Sequence, residues 1–150
     1  MYKFSLETVL NHRKQREEAL QKEFAILQKE LFIERERLEM LEEIRRSNLE
    51  ELQRKQTGGT SVSGVMLYDN YIKQISKDLE NQTDKVTEVE GNFHQKRGEL
   101  IEAMKRRKTL DRLKEKESEA YRKEFERKEQ IFMSEIAVSG FNRSKGLGKK

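Results

Sequence analysis

The sequence predicts an all-α protein in which two long helices pair as an antiparallel coiled-coil hairpin. Three observations carry this prediction: the composition, the absence of proline and a sustained repeat of apolar side chains. Of the 150 residues, 40% are charged, 33% belong to the hydrophobic class and none is proline. A chain so poor in apolar side chains cannot bury a large core, whereas long helices need only one narrow apolar stripe. Because proline interrupts helices, its absence favours long helices over disorder.

The first helix is predicted over about residues 5–56. Apolar side chains recur there alternately three and four residues apart, which is the repeat of a coiled coil. The apolar members of this stripe are Leu6, Leu10, Leu20, Phe24, Leu27, Leu31, Leu38, Leu41 and Leu52, and its polar members are Arg13, Glu17, Glu34, Arg45 and Asn48. Ser5 is a candidate N-cap, and Phe4 can pack on Val9 as a hydrophobic staple.

The second helix is predicted over about residues 63–139, with an apolar stripe of the same spacing. Its apolar members are Val65, Tyr68, Ile72, Ile75, Leu79, Val86, Val89, Phe93, Leu100, Ala103 and Leu110, interrupted by Gln82, Lys96 and Arg107. Beyond Leu113 the repeat meets charged residues, and a shifted stripe replaces it. Its apolar members are Leu110, Leu113, Tyr121, Phe125, Phe132 and Ile136, and its polar members are Glu117 and Lys128. A stutter of this kind locally unwinds a supercoil. Gly140 and Phe141 after it suggest a Schellman end for the helix.

The turn is predicted at residues 57–62, where Gly58 and Gly59 end the first helix and Ser61 or Ser63 caps the second. A connection this short makes the two helices antiparallel neighbours, so that residue i faces roughly residue 119 minus i. Parallel pairing of two chains remains an open alternative. The first helix would be ~78 Å long and the second ~118 Å, so a C-terminal segment of the second helix protrudes without a partner. The hairpin then covers residues 1–142, and residues 143–150 form a flexible basic tail.

The sequence contains no recognisable catalytic, metal-binding or cofactor-binding pattern, so an enzyme is not expected. There is no cysteine, and the two histidines, His12 and His94, stand among charged residues without ligands at a suitable spacing. Acidic and basic residues alternate at helical spacing, which is typical of surface ion pairs. No apolar run approaches the ~20 residues that cross a bilayer, so a soluble intracellular protein without bilayer insertion is expected.

Two basic clusters form the first candidate binding surface. The segments "HRKQR" at 12–16 and "KRRK" at 105–108 face each other if the chain folds back as predicted. They suggest docking on an acidic protein surface, with a merely solvated face as the alternative. Nucleic-acid binding is a weaker alternative, because the net charge is only +4 and glutamates are interleaved. The candidate residues are Arg13, Lys14, Arg16, Lys105, Arg106, Arg107 and Lys108.

Aromatic residues mark two further candidate surfaces. Tyr121 and Phe125 begin the apolar stripe of the protruding segment, which suggests a helix that enters another protein; fraying or self-association is the alternative. Directly after the turn stand Tyr68, Tyr71, Ile72 and Ile75. Core positions are expected for all of these except Tyr71, which lies at the edge of the stripe as a candidate interface anchor.

Three segments of the chain resemble the FliJ family of the bacterial flagellar type III export apparatus. These are "FSLETVLNHRKQREEAL" at the N-terminus, "LYDNYIKQISKDLE" after the turn, and the C-terminal segment from "LIEAMKRRKTLDRLKEKESEAYRKEF" onward. The resemblance implies a non-enzymatic stalk similar to the γ subunit of rotary ATPases, working in protein export, flagellum biogenesis and motility. It further implies a cytoplasmic protein, peripheral at the inner-membrane base of the export apparatus.

The resemblance also implies three partners: the hexameric export ATPase, the cytoplasmic domain of the export-gate protein FlhA, and export chaperones. Tyr71 and Ile75 occupy the gate-contact positions of the family, with Tyr68 and Ile72 beside them, whereas the next position of that face is polar, Asp78. The basic clusters, Tyr121 and Phe125 lie at the end that would enter the ATPase ring. A generic coiled-coil adaptor or a structural homodimer is the alternative function.

Overall fold

The computed structural model describes residues 2–59 and 61–147, and these residues form two α-helices without any strand. Helix α1 (Glu7–Thr57) has 51 residues and helix α2 (Val62–Leu147) has 86 residues. The two long helices pack together, so the predicted all-α coiled-coil hairpin is confirmed. The pairing is within one chain and antiparallel, which replaces the alternative of two parallel chains.

The seam between the helices follows the two predicted stripes. On α2, each predicted stripe position from Val65 to Leu110 is buried or half-buried. On α1 the same holds from Leu10 onward, except at Arg45. The most deeply buried large side chains are Leu10, Leu20 and Val89. Removing such apolar side chains from water is the main force that holds the two helices together.

The chain divides into two compact units. One unit is Arg16–Ala103, and the other combines Met1–Gln15 with Met104–Lys150, of which residues 2–15 and 104–147 are described. In the first unit, the Phe24 and Phe93 rings stack with their centroids 4.9 Å apart. In the second unit, Lys114 Nζ lies 2.9 Å from the carboxylate of Glu7. Both pairs are close to the prediction that residue i faces roughly residue 119 minus i.

The turn lies in the unit Arg16–Ala103 and is built as its glycines and serines predict. The Gly58 amide donates to the carbonyl of Arg54 at 3.0 Å, which closes the last turn of α1. Gly59 has φ = 81°, the one positive φ among the described residues. The hydroxyl of Ser61 accepts a hydrogen bond from the Gly64 amide at 3.3 Å, so Ser61 caps α2.

The N-terminus of α1 differs from the prediction in one respect. The helix begins at Glu7, whose amide donates to the carbonyl of Phe4 at 3.2 Å. The hydroxyl of Ser5 points to the carboxylate of Glu117, 3.5 Å away, so the prediction that Ser5 caps α1 is wrong. Phe4 is buried, with 6% of its surface exposed. The segment before α1 therefore contacts Glu117 of α2 through Ser5 and through the hydroxyl of Tyr2, 3.3 Å away.

The predicted shift of the stripe beyond Leu113 is wrong over the next turn of α2. Lys114, which only the original repeat contains, is half-buried, whereas Leu113 of the shifted stripe is exposed; Glu117 belongs to both stripes and is half-buried. The reason is that polar partners face these two positions: Glu7 pairs with Lys114, and the Tyr2 hydroxyl lies 3.3 Å from Glu117. The original repeat continues here through polar contacts, which an apolar pattern cannot reveal.

The C-terminal end of α2 was also predicted wrongly. The helix continues through Gly140 to Leu147, so residues 143–147 of the predicted tail are helical. A Schellman end needs a left-handed residue and an apolar contact across it. Gly140 lacks a positive φ, and Phe141 and Ile136 are 65% and 52% exposed. Residues 148–150, the rest of the predicted tail, lie outside the described residues.

Candidate functional site

The candidate surface after the turn lies on the first turns of α2, in the unit Arg16–Ala103. Of the four predicted gate-contact residues, Ile72 and Ile75 are buried in the seam, with 9% and 4% of their surfaces exposed. Tyr68 is half-buried, and Tyr71 is 50% exposed. A residue one position from the seam turns by about 100° around a helix, which brings Tyr71 to the surface while Ile72 stays inside. Tyr71 is thus the most accessible of the four.

Lys55 of α1 fixes the ring of Tyr68 beside this surface. Its ammonium donates to the Tyr68 hydroxyl at 2.8 Å and lies 4.4 Å from the ring centroid. Together with Leu67, Asn70 and Tyr71, these two residues line an open groove of about 650 Å³, which we call the turn patch. Leu67 is 71% exposed and was missed in the sequence. The signal was available, because Leu67 is a large apolar residue outside the predicted stripe.

The basic clusters are mostly at the surface. Arg13 and Arg107 occupy seam positions and are half-buried, and Arg107 forms an ion pair with Asp111 at 2.7 Å. The other predicted basic residues are exposed: Lys14, Arg16, Lys105, Arg106 and Lys108. Arg16 belongs to the unit Arg16–Ala103, and the others to the second unit. The exposed cations present positive charge to solvent, where an acidic partner would be attracted.

The third candidate surface is the C-terminal part of α2, residues 121–146, which we call the α2 extension. Every side chain in this segment is exposed. It starts with an aromatic row, because the Tyr121 ring centroid lies 5.4 Å from that of Tyr2 and 6.5 Å from that of Phe125. Tyr121 and Phe125 are 43% and 52% exposed, so both predicted ring-contact aromatics are accessible.

Farther along, the α2 extension exposes apolar side chains on more than one face. Ile131, Phe132 and Met133 are consecutive and are 48%, 62% and 67% exposed. Successive residues point about 100° apart around a helix, so these three cover most of its circumference. Exposed apolar patches of this kind commonly mark surfaces that bind other proteins. The α2 extension is therefore the most conspicuous binding element of the described chain.

Ion pairs and hydrogen bonds shift the pKa values of a few side chains. Lys96 donates to Glu23 at 2.8 Å and to Glu99 at 3.0 Å. The hydrogen bond from Lys96 lowers the pKa of Glu23, and the same bonds raise the pKa of Lys96. Partial burial and then the carboxylate of Glu117 raise the pKa of Tyr2. A lowered pKa of Glu23 and a raised pKa of Lys96 both favour the charged forms of this pair, which joins α1 to α2.

Within residues 2–59 and 61–147, no three metal-ligating side chains come together as a metal site would require. Over the same residues, neither helix has a stretch apolar and long enough to span a membrane. The two predicted surface histidines are exposed, and the ring of His94 packs edge-on against Phe93 with centroids 5.5 Å apart. What the described surface offers is a set of exposed apolar and basic side chains suited to binding other proteins.

The model of the family described as flagellar FliJ protein matches residues 2–146. The chain belongs to the FliJ family. FliJ proteins are structural components of the flagellar, type III export apparatus, and this protein is such a component. Among solved structures, the chain is similar to one described as a YscO homolog, CT670, from Chlamydia trachomatis. That similarity has a TM-score of 0.49 and 23% identity over 97% of this chain and 98% of the other. No curated protein matches this FliJ-family chain significantly.

Proposed function

We propose that this FliJ-family protein couples the hexameric export ATPase to the export gate and assists the delivery of substrates and their chaperones. The α2 extension carries this proposal, because it exposes apolar side chains on several faces of one helix. A one-sided groove would leave part of these side chains in water, whereas a ring can surround the helix. The α2 extension would enter the central opening of the ATPase hexamer.

The basic clusters support the same contact. Lys14, Lys105, Arg106 and Lys108 are exposed cations in the unit that also contains the α2 extension. Positive charge of this kind speeds association with an acidic surface and strengthens it at low salt. We expect these residues, with Arg13, Arg16 and Arg107 from the same clusters, to contact acidic side chains of the ATPase ring. The export ATPase complex would then hold the protein at the cytoplasmic base of the flagellar apparatus.

The turn patch supports the contact with the gate. Tyr71 is an exposed aromatic side chain of the type enriched at interface hot spots, and Leu67 adds exposed apolar surface on the same helix. Ile72 and Ile75 lie beneath them in the seam, so they would support the patch from inside. We propose that the patch binds the cytoplasmic domain of the export-gate protein FlhA.

The test is to measure binding of the purified protein to the hexameric export ATPase and its effect on ATP hydrolysis. We expect tight, salt-dependent binding and a change in the turnover rate. Reversing the charges of Lys105, Arg106 and Lys108 to glutamate should weaken binding by at least about tenfold at low salt and less at high salt. A matched control reverses three charges as well, at Lys73, Lys77 and Lys85, which are exposed on α2 in the other unit.

Two results would contradict the proposal. One is the absence of both binding and any change in turnover at saturating protein. The other is an equal effect of the control reversal, which would mean that overall charge alone is responsible. Circular dichroism of each variant should show the helix content of the unchanged protein.

A further inference from the structure

Helix α1 carries a second row of apolar side chains that the seam does not use. Ile26, Ile33 and Met40 are seven residues apart and are 66%, 39% and 64% exposed. A spacing of seven residues is nearly two helical turns, so the three side chains lie in line on one face. We call them the outer row. They belong to the unit Arg16–Ala103, and neither the turn patch nor the α2 extension includes them.

The charges beside the outer row change sign near its middle. On one side, Lys22 and Lys29 precede Ile33, and Glu36 and Glu43 follow it at the same seven-residue spacing. On the other side the order is opposite, with Glu30 before Ile33 and Arg37 after it. On each flank, the charges that precede Ile33 are therefore opposite in sign to those that follow it at a similar distance.

This arrangement is complementary to itself when a second copy runs in the opposite direction. With a two-fold axis at Ile33, Lys29 of one copy lies opposite Glu36 of the other, and Lys22 opposite Glu43. On the other flank, Glu30 lies opposite Arg37, and within the row Ile26 meets Met40. Antiparallel helices juxtapose equivalent flanks, so all these contacts form together. In a parallel copy opposite flanks would meet, so Lys29 would lie near Glu30 and Glu36 near Arg37, but Glu43 would lose its lysine partner.

The contacts that these charged side chains already make leave them accessible. Glu43 pairs with Arg46 at 2.7 Å, yet its side chain is 69% exposed. Arg37 pairs with Glu34 at 3.0 Å, and its side chain is 63% exposed. Exposed pairs within one helix are weak, so a second copy can draw on the same charges.

We propose that two copies of this protein associate antiparallel through their outer rows, with Ile33 at the two-fold axis. The interface is isologous, because the same face of each copy makes the same contacts, and it closes at two copies. One helix face per copy is a small interface, so the dimer is weak and forms at high protein concentration. This association goes beyond the export function, since it uses neither surface assigned to the export partners.

The first test is sedimentation of the full chain from about 10 µM to about 500 µM, a range that covers weak self-association. We expect the mass to rise towards that of a dimer at the upper end. Ile33→Glu places two like charges at the axis and should keep the protein monomeric throughout. Phe32→Glu is the matched control: Phe32 is the neighbouring residue, 62% exposed but about 100° away around α1, and its replacement should leave the dimer intact.

A charge exchange tests the antiparallel pairing itself. Lys29→Glu alone brings two glutamates together in each contact, and Glu36→Lys alone brings two lysines together, so each variant should dimerise more weakly. Mixing the two variants restores opposite charges in both contacts and should restore a dimer. A monomeric unchanged protein at the highest concentration, or a mixture that associates no better than either variant, would overturn the proposal.

Orientation can be measured directly because the chain has no cysteine. A spin label on a cysteine introduced at Lys22 reports the distance between the two copies. In the antiparallel dimer this distance is at least about 33 Å, the rise of 22 residues along the helix, because Lys22 lies 11 residues from the axis in each copy. A distance well below about 20 Å would indicate a parallel dimer and contradict the two-fold arrangement.

Discussion

Glu34 and Gln82 form a polar layer inside the apolar seam. Glu34 is 6% exposed, and the amide of Gln82 donates to its carboxylate at 2.6 Å and to its carbonyl at 2.9 Å. Arg37 adds an ion pair at 3.0 Å. The layer satisfies the buried carboxylate, which would otherwise be strongly destabilising.

We expect Glu34→Ala to lower the free energy of unfolding by about 1–3 kcal/mol, because it removes an acceptor from the half-buried amide of Gln82. Replacing both residues by leucine should leave stability unchanged or increase it, because an apolar layer then continues the seam. Urea unfolding followed by circular dichroism measures both effects. If the double replacement is as destabilising as Glu34→Ala, the two side chains do not act as one layer.

Two glycines have opposite roles, and exchange for alanine separates them. Gly59 has φ = 81°, a conformation in which a Cβ is strained, so Gly59→Ala should reduce stability by about 1 kcal/mol. Gly91 lies within α2 with open space around its Cβ position, so Gly91→Ala should increase stability by up to about 1 kcal/mol. Urea unfolding is the measurement. A loss of stability at both positions would contradict this assignment of roles.

At the scale of helices, the seam could be predicted from the sequence almost position by position. The reason is that positions alternately three and four residues apart lie on one face of a long helix, and that face forms the seam. Even polar members of the stripe such as Gln82 and Lys96 are half-buried at their predicted positions. The partner of each polar member could not be predicted. Glu34 and Gln82 both interrupt a stripe, but pairing them requires the register between helices to within one turn.

The ends of the helices were less predictable, for a physical reason at each. Glycine permits the left-handed conformation that ends a helix but does not require it, and Gly140 stays helical. The contacts of Tyr2 and Ser5 with Glu117 join residues that are 115 and 112 positions apart in the sequence, which no local pattern reveals. Of the candidate site, the exposure of Tyr71 and the burial of Ile75 followed from the stripe, whereas the contact of Lys55 with the ring of Tyr68 requires the register between the helices.

The α2 extension should be the least stable helical segment when the protein is alone. Its side chains are exposed throughout, and a helix without tertiary packing is marginal in water. We expect the amides of residues 121–146 to exchange with solvent at least about a hundredfold faster than those of residues 72–89. Hydrogen exchange followed by mass spectrometry measures this difference.

Adding the export ATPase provides the matching control. Exchange in residues 121–146 should slow markedly on binding, while exchange in residues 72–89 should change little. Unchanged exchange in the α2 extension together with demonstrated binding would mean that another part of the protein contacts the ring.

At the scale of the whole molecule, composition and periodicity predicted the hairpin. The match to the FliJ family over residues 2–146 assigns the protein to the flagellar export apparatus. The proposed coupling of ATPase and gate requires two independent binding surfaces on one chain. The two candidate surfaces, the turn patch and the α2 extension, lie in different units. Tyr71→Ala should weaken gate binding about tenfold, the usual effect of removing an interface anchor, and leave ATPase binding unchanged. Phe132→Glu with Ile136→Glu should do the reverse, because two carboxylates would have to be desolvated inside the ring.

Expressing the Tyr71→Ala chain and the Phe132→Glu, Ile136→Glu chain in the same cells tests whether one chain must bind both partners. Each should fail to support export alone, and the mixture should also fail, because no single chain then connects ring and gate. Both chains should also carry Ile33→Glu, so that paired copies cannot make the connection. Motility measured in cells expressing both chains is the readout, with Ile33→Glu alone as the control that retains motility. Restored motility in the mixture would mean that ring and gate are served separately, and coupling through one chain would be wrong.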